Sequence, residues 1–422
     1  PCRAEILERG DVMVSRLAEI LDEMFLKEEA EESMFVCLEC IGDTWLKGRP
    51  SKRVMPQACA SCETSTLKAL TSKTIAETIK DKLSNHFAID YGLYPGNEMT
   101  LSEIVGRAIR CESEAVCNAV AERLIDLDAD EEHFYFQGQE YCPASGRFES
   151  KEHERRWAEG KWTRIATELV HGRRFFNTNA SRFFETLMAE AMQPGSDANA
   201  PGASVARVVP ENTRFYRARI AATHGQIQEF QKDPPKELGA PPKDRAANNR
   251  MSPAGVPLLY VAADEQTAIA EVRPSIGDRV VVGEFISNRN LEFFDFTALT
   301  ALQHNEISWF DPGYRERTDH RLLLEYLHDL IARPVRATDT DYVMTQALAE
   351  FIRYYRKQRF DGISFRSVQR EGGVNYVIFD RSTPEALQTS DWAPQFDLVV
   401  SREAVSIFEI ARVDYHTINP AN

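Results

Sequence analysis

Apolar residues recur at helical spacing through the first half of the chain. Residues 11–28 carry an i, i+3, i+4, i+7, i+8 stripe that starts at Leu17, the pattern of an amphipathic helix. The motif Thr100-x-x-Glu103 is a capping box, which predicts that another helix begins there. A further helix is expected to start soon after Cys62, with Ile75, Ile79 and Leu83 on one face, and the same spacing predicts helices over residues 117–126, 151–170 and 180–192. The region before residue 193 is therefore predicted to be mostly helical.

The composition changes after residue 193. Residues 194–209 are rich in Pro, Gly, Ala and Ser, which predicts a linker. Helical stretches near 320–332 and 341–357 then interleave with β-type apolar runs, which predicts an α+β domain. Those runs cover residues 214–220, 258–262, 280–286, 291–295, 362–365, 376–380 and 404–413. Within the same domain, the Pro-rich residues 234–242 predict a loop, of the kind that often forms a lid.

Length and charge narrow the class of protein. A chain of 422 residues is long enough for two or three domains, and its 43% hydrophobic and 27% charged residues are ordinary for globular proteins. The net charge of −15 makes nucleic acid an unfavourable bulk partner, although a local basic face stays open. No run of 18 apolar residues occurs, so we expect no membrane span. No secretory signal is visible, and because the chain begins at Pro1 a short leader is left open.

Two cysteine pairs form the sharpest local motif. Cys37-x-x-Cys40 and Cys59-x-x-Cys62 are separated by 18 residues, a spacing that closes a tetrahedral, structural Zn²⁺ site over residues 37–62. Two disulfides or a redox motif are the alternatives. Eight cysteines used in this way fit the reducing cytoplasm better than an oxidising compartment. Outside any such pattern lie four further cysteines, expected to be free thiols or core residues: Cys2, Cys111, Cys117 and Cys142.

The usual cofactor motifs are missing from the chain. No GxGxxG follows a predicted strand, no GxxxxGK[ST] occurs, and HExxH is absent, so the chemistry must come from other residues. Three polar clusters stand out in the second half. They are RFYRAR over residues 214–219, the segment 250–274, and the segment 362–375 with its Gly-rich turn. Each cluster also has a plain interpretation as surface ion pairs, core tyrosine and solvated glutamate.

Together these clusters resemble a known family, the RES domain, which takes its name from an Arg, a Glu and a Ser. The matching segments, in family order, are FYRAR, RMSPAGVPLLYVAADEQTAIAEVRP, LEFFDFT, DYVMTQALAEFIR and FDGISFRSVQREGGVNYVIF. The N-terminal half, with FVCLECIGD at the first cysteine pair, is similar to the HEPN-type domain that precedes some RES domains. The resemblance implies a helical HEPN-like domain over 1–193, a linker over 194–209 and a RES catalytic domain over 210–422.

The resemblance implies a fold and an activity. RES domains are similar to ADP-ribosyltransferases of the diphtheria-toxin type, with a split β-sheet that binds NAD⁺. Members are toxins of toxin–antitoxin pairs that destroy NAD⁺ with phosphate or water as acceptor, and some ADP-ribosylate a protein. NAD⁺ is therefore the expected substrate, with an antitoxin or a regulatory protein as partner and phage defence as one setting. A homodimer is the default expectation.

The family's Arg, Glu, Ser and aromatic positions fall on Arg217, Glu271, Ser367 and Tyr260. A carboxylate can stabilise the oxocarbenium ion that forms when the nicotinamide–ribose bond breaks. A guanidinium suits the pyrophosphate, and an aromatic ring can stack on nicotinamide. Ser367 has no Asp or His partner in sequence, so it is expected to donate a hydrogen bond to the substrate rather than to act as nucleophile.

Four further residues complete the predicted binding set: Tyr216, Arg250, Ser252 and Asn375. Ser252 departs from the Asn that the family often has, but a serine hydroxyl can still form a hydrogen bond at this position. Competing functions remain open. Arg164 and His171 have the Arg-x₆-His spacing of HEPN ribonucleases, and the helical half could instead be a regulatory binding module beside an inactive RES domain.

Overall fold

The structure is a computed structural model and divides into two compact units. The first unit comprises residues 1–151 and 307–315, and the second comprises 152–306 and 316–422. The structure describes residues 34–48, 56–91, 98–144, 151–193, 204–299, 307–331, 342–382, 385–388 and 392–414. The helix predicted over residues 11–28 lies outside these ranges.

The first unit combines short helices with three small antiparallel strand pairs. Its helices are α1 (Thr44–Lys47), α2 (Ser72–Leu83), α3 (Leu101–Ile109) and α4 (Glu114–Glu122). Its strands are β1 (Phe35–Cys37), β2 (Gln57–Ala58), β3 (Ser65–Thr66), β4 (Ala69–Thr71), β5 (Phe87–Ile89) and β6 (Tyr141–Pro143). Strand β1 pairs with β4, β2 with β3, and β5 with β6. The helix expected soon after Cys62 begins only at Ser72, because strands β3 and β4 precede it, and the helix predicted over 117–126 spans Glu114–Glu122.

The capping box of α3 forms as predicted. The Thr100 hydroxyl accepts the backbone N–H of Glu103 at 3.3 Å, and the Glu103 carboxylate accepts the backbone N–H of Thr100 at 2.6 Å. These bonds satisfy two of the N–H groups that have no partner inside a helix. The helix ends at Arg110, which takes the left-handed conformation with φ of 54°.

The core of the first unit is completed by a segment from far along the chain. Phe310 is buried among the apolar residues of α2, α3 and α4, and the ring of Trp309 stacks on that of His86 at 4.6 Å. The Ser308 hydroxyl donates to the buried carboxylate of Asp43, 3.0 Å away. The first unit is thus discontinuous in sequence, which the pattern of apolar residues along the chain did not predict.

The second unit is built on one large sheet with helices beside it. Its strands are β7 (Ala206–Val209), β8 (Arg214–Ala221), β9 (Leu259–Ala262), β10 (Arg279–Ser287), β11 (Leu291–Asp295), β12 (Gly362–Arg366), β13 (Val374–Ile378) and β14 (Leu398–Glu409). Its helices are α5 (Lys151–Thr167), α6 (Thr178–Ala191), α7 (His224–Lys232), α8 (Pro234–Leu238), α9 (Glu265–Glu271), α10 (Tyr314–Ile331) and α11 (Val343–Arg353). A π-helical turn, Glu168–Gly172, continues α5. The α+β prediction is confirmed.

The sheet consists of two halves that meet at a single residue pair. The strand order is β14-β10-β8-β9-β13-β12-β11-β7, and neighbours are antiparallel except β11 and β12. Strand β8 pairs with β10 along its whole length, from Arg214 to Ala221. Its pairing with β9 is limited to Tyr216 opposite Ala262. Beyond that pair the two strands have no ladder, so the sheet splits between β8 and β9.

Helices α5 and α6 belong to the second unit. Trp162 of α5 and Leu187 of α6 share one buried cluster with Phe294 of β11 and Leu348 of α11. The compact units therefore divide at residues 151 and 152, whereas the sequence placed the break after 193. The burial of these apolar side chains against the sheet explains the difference. The three-part division into 1–193, 194–209 and 210–422 stays a prediction for the evolutionary domains.

Two segments differ from their sequence assignment. The last four residues of the predicted linker form strand β7, which pairs with β11. Val205, the residue before β7, is buried. Residues 194–203 lie outside the described ranges. The loop predicted over 234–242 was wrong for its first half, which forms α8. Pro234 takes the first helical position, where its missing N–H costs nothing. Gly239 follows α8 at a position where a Cβ would lie 2.2 Å from the Pro235 carbonyl oxygen, so only glycine fits there.

None of the described helices is both long and apolar enough to cross a lipid bilayer.

Candidate active site

A cavity of about 400 Å³ opens where β8 and β9 diverge. The middle of β8, residues 216–218, lines one side of the cavity, and Tyr260 of β9 lines the other. The cavity is lined by Tyr216, Arg217, Ala218, Asn249, Arg250, Tyr260, Val261, Ala262, Ala268, Glu271, Val272, Arg273, Tyr342, Phe365, Val368, Gln369 and Asn375. Six of the eight predicted site residues are therefore brought to one place.

Glu271, the last residue of α9, is an exposed carboxylate held by two neighbours. Its Oε1 accepts hydrogen bonds from the Ser367 hydroxyl at 2.7 Å and from the Asn375 amide at 2.6 Å. Asn375 is buried on β13, so this contact ties the carboxylate to the sheet. Among the described residues, no donor contacts Oε2. One oxygen is thus fixed by the protein while the other remains available to a ligand.

Ser367 orders the turn that follows β12. Its hydroxyl oxygen accepts the backbone N–H groups of Gln369 and Arg370, each at 3.1 Å, while its proton is donated to Glu271. Its own backbone N–H donates to the carbonyl of Gly373 at 2.8 Å. Ser367 does not itself line the cavity. In this arrangement it positions the carboxylate of Glu271.

The same turn is fastened to the start of α9. The Arg370 guanidinium donates to both oxygens of Asp264 at 2.9 and 3.0 Å, and Asp264 caps α9 by accepting the N–H of Thr267. Burial opposes the charge on Asp264, but the bonds from Thr267 and the charge of Arg370 lower its pKa. Gly373 permits the close approach, because a Cβ there would lie 2.7 Å from the Thr267 hydroxyl oxygen. The turn after β12 and helix α9 are therefore held together, which keeps Ser367 within hydrogen-bonding distance of Glu271.

Arg217 brings a largely desolvated cation to the cavity. Its Nη1 donates to the carbonyl of Gly239 at 2.7 Å, and within the described ranges no carboxylate pairs with it. Desolvation, with repulsion from Arg219, lowers the pKa of Arg217 to about 9. The group still carries its charge at neutral pH. A partly buried cation of this kind is stabilised by an anionic ligand.

Tyr260 is held at the cavity by the strand-like segment before it. Its hydroxyl lies 3.2 Å from the Ser252 hydroxyl and accepts the backbone N–H of Met251 at 3.3 Å. Burial raises the pKa of Tyr260 to about 12, so the phenol is neutral. Ser252 is buried behind this ring and does not line the cavity. The structure therefore places Ser252 as a support for Tyr260, and its predicted ligand contact stays a prediction.

Arg250 is anchored through its backbone and its side chain. Its carbonyl accepts the Thr345 hydroxyl of α11 at 2.6 Å, and its guanidinium donates to the carbonyl of Ile331. Gln346, also on α11, donates to the carbonyls of Asn249 and Ser252 at 2.8 and 3.2 Å. The start of α11 thus fixes the whole segment that carries Arg250.

The charge of the cavity is opposite to that of the chain. Among the described residues that line it, three are arginines, Arg217, Arg250 and Arg273, and one is a carboxylate, Glu271. Tyr216, which precedes Arg217 on β8, donates its hydroxyl proton to the carboxylate of Glu284 at 3.3 Å. Burial and the charge of that carboxylate raise the pKa of Tyr216. A local excess of positive charge in a chain of net charge −15 favours an anionic ligand.

Sequence reasoning missed several lining residues. Arg273 follows Glu271 closely and takes the left-handed conformation, φ of 49°, just after α9 ends. Arg273 lies in the segment AIAEVRP, which was singled out in the sequence, but an arginine there could equally form an ion pair at the surface. Asn249, Tyr342 and Gln369 carried no signal of their own in the sequence.

The ribonuclease pair is not brought to the cavity. Arg164 lies on α5 and His171 in the π-helical turn, and both are exposed. Neither lines the cavity at the split of the sheet.

The four paired cysteines converge in the first unit. The sulfur atoms of Cys37, Cys40, Cys59 and Cys62 all lie within 4.8 Å of one another, and none forms a disulfide. Cys37 and Cys62 are 3.7 Å apart, close to the roughly 3.8 Å edge of a tetrahedron with Zn–S bonds of about 2.3 Å. The backbone N–H groups of Cys37 and Ser61 point at the Cys59 sulfur, 3.3 and 3.4 Å away. Such donors stabilise a thiolate, so the cluster can hold a metal ion.

The geometry agrees with a comparison against protein families. The family model described as "RES domain" matches residues 211–401. This segment of the chain is similar to a RES domain. The matched segment begins one residue from the predicted boundary and includes Arg217 and Glu271 of the cavity, together with Ser367, which holds Glu271. No curated protein and no solved structure matches the chain.

The RES domain occupies the sheet of the second unit, from just before β8 into β14. The helices α5 and α6, which pack on the same core, precede the matched residues. The HEPN-type assignment of the N-terminal residues stays a prediction.

Proposed function

We propose that the RES domain binds NAD⁺ in the cavity at the split of the sheet and cleaves its nicotinamide–ribose bond. The observation that carries this proposal is the meeting of Arg217, Tyr260 and Glu271 at one cavity, with Ser367 and Asn375 holding the glutamate. Separate stretches of the chain supply these groups, and the fold brings them together. The split between β8 and β9 also supports an ADP-ribosyltransferase-like arrangement.

Each group has a part that its chemistry supports. Arg217 and Arg250 neutralise the pyrophosphate, for which a planar, always charged donor is suited. The ring of Tyr260 stacks on nicotinamide, and the neutral phenol adds no charge that would oppose the departing group. Glu271 holds the ribose hydroxyls through Oε2, because Oε1 is already bonded to the protein.

The reaction breaks the bond between C1″ of the ribose and N1 of nicotinamide. The bonding electron pair leaves with N1, so the cationic ring departs as neutral nicotinamide and positive charge develops on the ribose. The carboxylate of Glu271 stabilises that oxocarbenium ion. An oxygen of phosphate or water then bonds to C1″, and water gives up one proton in that step. Phosphate yields ADP-ribose 1″-phosphate and water yields ADP-ribose.

A product assay tests the proposal. The purified full chain is incubated with NAD⁺, with and without phosphate, and the products are identified by mass spectrometry. We expect free nicotinamide together with one of the two ADP-ribose products. A gain in protein mass instead would assign the transferase alternative, in which a side chain is the acceptor. NAD⁺ that remains intact under all conditions would contradict the proposal.

Replacing Arg217 by Lys should weaken substrate binding more than it slows the chemistry. A lysine keeps the charge but loses the paired donors, so we expect KM for NAD⁺ to rise about tenfold to a hundredfold with a smaller change in kcat. Steady-state nicotinamide release measures both constants. Arg219→Lys, on the same strand but outside the lining, is the matched control. An unchanged KM in Arg217→Lys would remove this residue from the site.

We propose further that the four-cysteine cluster holds one structural Zn²⁺. Four sulfur donors with no open position for a substrate are typical of structural zinc rather than catalytic zinc. Cys37 and Cys59 are buried in the core of the first unit, where a bound metal would crosslink β1 to the β2–β3 hairpin.

The cellular role follows from the chemistry. An enzyme that consumes NAD⁺ without restoring it is harmful to its own cytoplasm, which supports a toxin restrained by an antitoxin or regulatory protein. The N-terminal unit is the part of the chain that we propose for such control. Expression should lower cellular NAD⁺.

A further inference from the structure

A second cavity of about 300 Å³ lies beside the first in the same unit. It is lined by Trp162, Thr163, Ala166, Thr167, Val170, His171, Arg250, Tyr326, Leu330, Tyr342, Met344 and Thr345. Its size falls at the lower end of the range found for small-molecule sites.

One wall of this cavity comes from outside the family match. Trp162, Thr163, Ala166 and Thr167 belong to α5, and Val170 and His171 belong to the π-helical turn that follows. All precede residue 211, where the RES match begins. Irregular π-helical turns are frequent at functional sites. This cavity is therefore a feature that the preceding helices add to the RES domain.

The two cavities share Arg250 and Tyr342. Both residues stand at the boundary, and Arg250 is fixed there by its bonds to Ile331 and Thr345. A ligand that continues from one cavity into the other must pass this guanidinium. An anionic linker between two ring systems has the chemistry for such a path.

The walls of the second cavity suit a flat ring that carries hydroxyls. Trp162 and Tyr326 present aromatic rings with centroids 6.3 Å apart at 60°, and Val170, Leu330 and Met344 add apolar surface. Thr163 and His171 supply polar groups at the exposed rim. None of the described residues that line this cavity carries a carboxylate, so the described lining does not repel a nucleotide.

We propose that this second cavity holds the adenosine half of the dinucleotide. The inference rests on the proposed function: the nicotinamide ribose lies at Glu271, the pyrophosphate crosses Arg250, and the adenine ring lies in the second cavity against α5 and α10. The helices in front of the RES domain thus form part of the substrate site and set its preference for a dinucleotide over a mononucleotide.

The test compares two substrates of the purified full chain. NAD⁺ carries the adenosine half, and nicotinamide mononucleotide lacks it while keeping the bond that is cut. We expect kcat/KM for NAD⁺ to exceed that for the mononucleotide on the order of tenfold or more, the scale of stacking one base on an aromatic ring. Equal use of the two substrates by the wild-type chain would overturn the inference and leave the proposed function intact.

Filling the cavity provides the decisive variants. Ala166→Trp and Thr163→Trp should each reduce the preference for NAD⁺ toward one, with turnover of the mononucleotide unchanged. Glu159→Trp, exposed on the same helix and outside the cavity, is the control. Thr163 is exposed, so its variant tests the idea even if Ala166→Trp fails to fold. A preference that survives both substitutions would contradict the assignment.

Direct binding of adenosine 5′-monophosphate separates the two proposals. Calorimetry should detect binding to the wild-type chain and to Glu159→Trp, and its loss in Thr163→Trp. If neither substrate releases nicotinamide, the proposed function fails, and retained binding of the monophosphate with loss in Thr163→Trp would still support a nucleotide site here. Binding that is absent in the wild-type chain, or unaffected by Thr163→Trp, would count against the site.

Discussion

Glu271→Gln should lower the rate of nicotinamide release about 10²- to 10³-fold, the scale found when one electrostatic contact to a transition state is removed. The substitution keeps the size of the side chain, and an amide oxygen can still accept from Ser367 and Asn375. What it removes is the negative charge that would stabilise the oxocarbenium ion. Because the ground state of NAD⁺ gains little from that charge, we expect kcat to fall and KM to change less.

The control for this variant lies on the same helix. Glu265→Gln removes an equal charge in the first turn of α9, outside the residues that line the cavity. Its rate should remain near that of the wild-type chain. Thermal unfolding of Glu271→Gln should also be close to wild type, because the side chain is exposed. Nicotinamide release that persists in Glu271→Gln and in Glu271→Ala would show that the catalytic carboxylate lies elsewhere.

Removing the metal should have the largest effect on stability. Structural zinc contributes on the order of 10 kcal/mol of apparent free energy in small zinc-binding peptides, which is comparable to the whole stability of a domain. We expect metal analysis to give about one Zn per chain. Cys40→Ser or Cys62→Ser should lose the metal and expose residues 34–144 to hydrogen exchange.

Cys142→Ser provides the matched comparison for the zinc site. Cys142 is a buried free cysteine of the same unit, on β6 and outside the cluster. Its variant should keep the metal even if it costs some stability. A metal-free chain that remains fully folded, or equal zinc content in Cys40→Ser and the wild type, would remove the zinc assignment.

Hydrophobic periodicity predicted most elements of the fold. The strands at 214–221 and 279–287, and the helix at 178–191, appear within a few residues of their predicted positions because each buries one clear face. Periodicity failed at Pro234–Leu238, where prolines indicated a loop but occupy the first turn of α8. Local composition cannot reveal where a proline falls in a helix that tertiary packing stabilises.

The candidate site was predictable in its residue types and less so in its contacts. The resemblance led to Arg217, Glu271 and Tyr260, and they line one cavity. Ser367 was expected to contact substrate, whereas its proton goes to Glu271, a bond that depends on how the turn after β12 folds onto α9. The second cavity depends on α5 packing beside α10, a long-range contact that no linear pattern encodes.

The discontinuous first unit has a consequence for synthesis. Trp309 and Phe310 complete its core, yet the ribosome delivers them only after β7 to β11 of the second unit. Until then, the nascent N-terminal segment lacks the aromatic ring of Trp309 that packs against His86 and Phe87. A fragment truncated at residue 193 would lack Trp309 and Phe310 permanently. We therefore expect such a fragment to bind chaperones or to be degraded by proteases, and not to fold as an autonomous module.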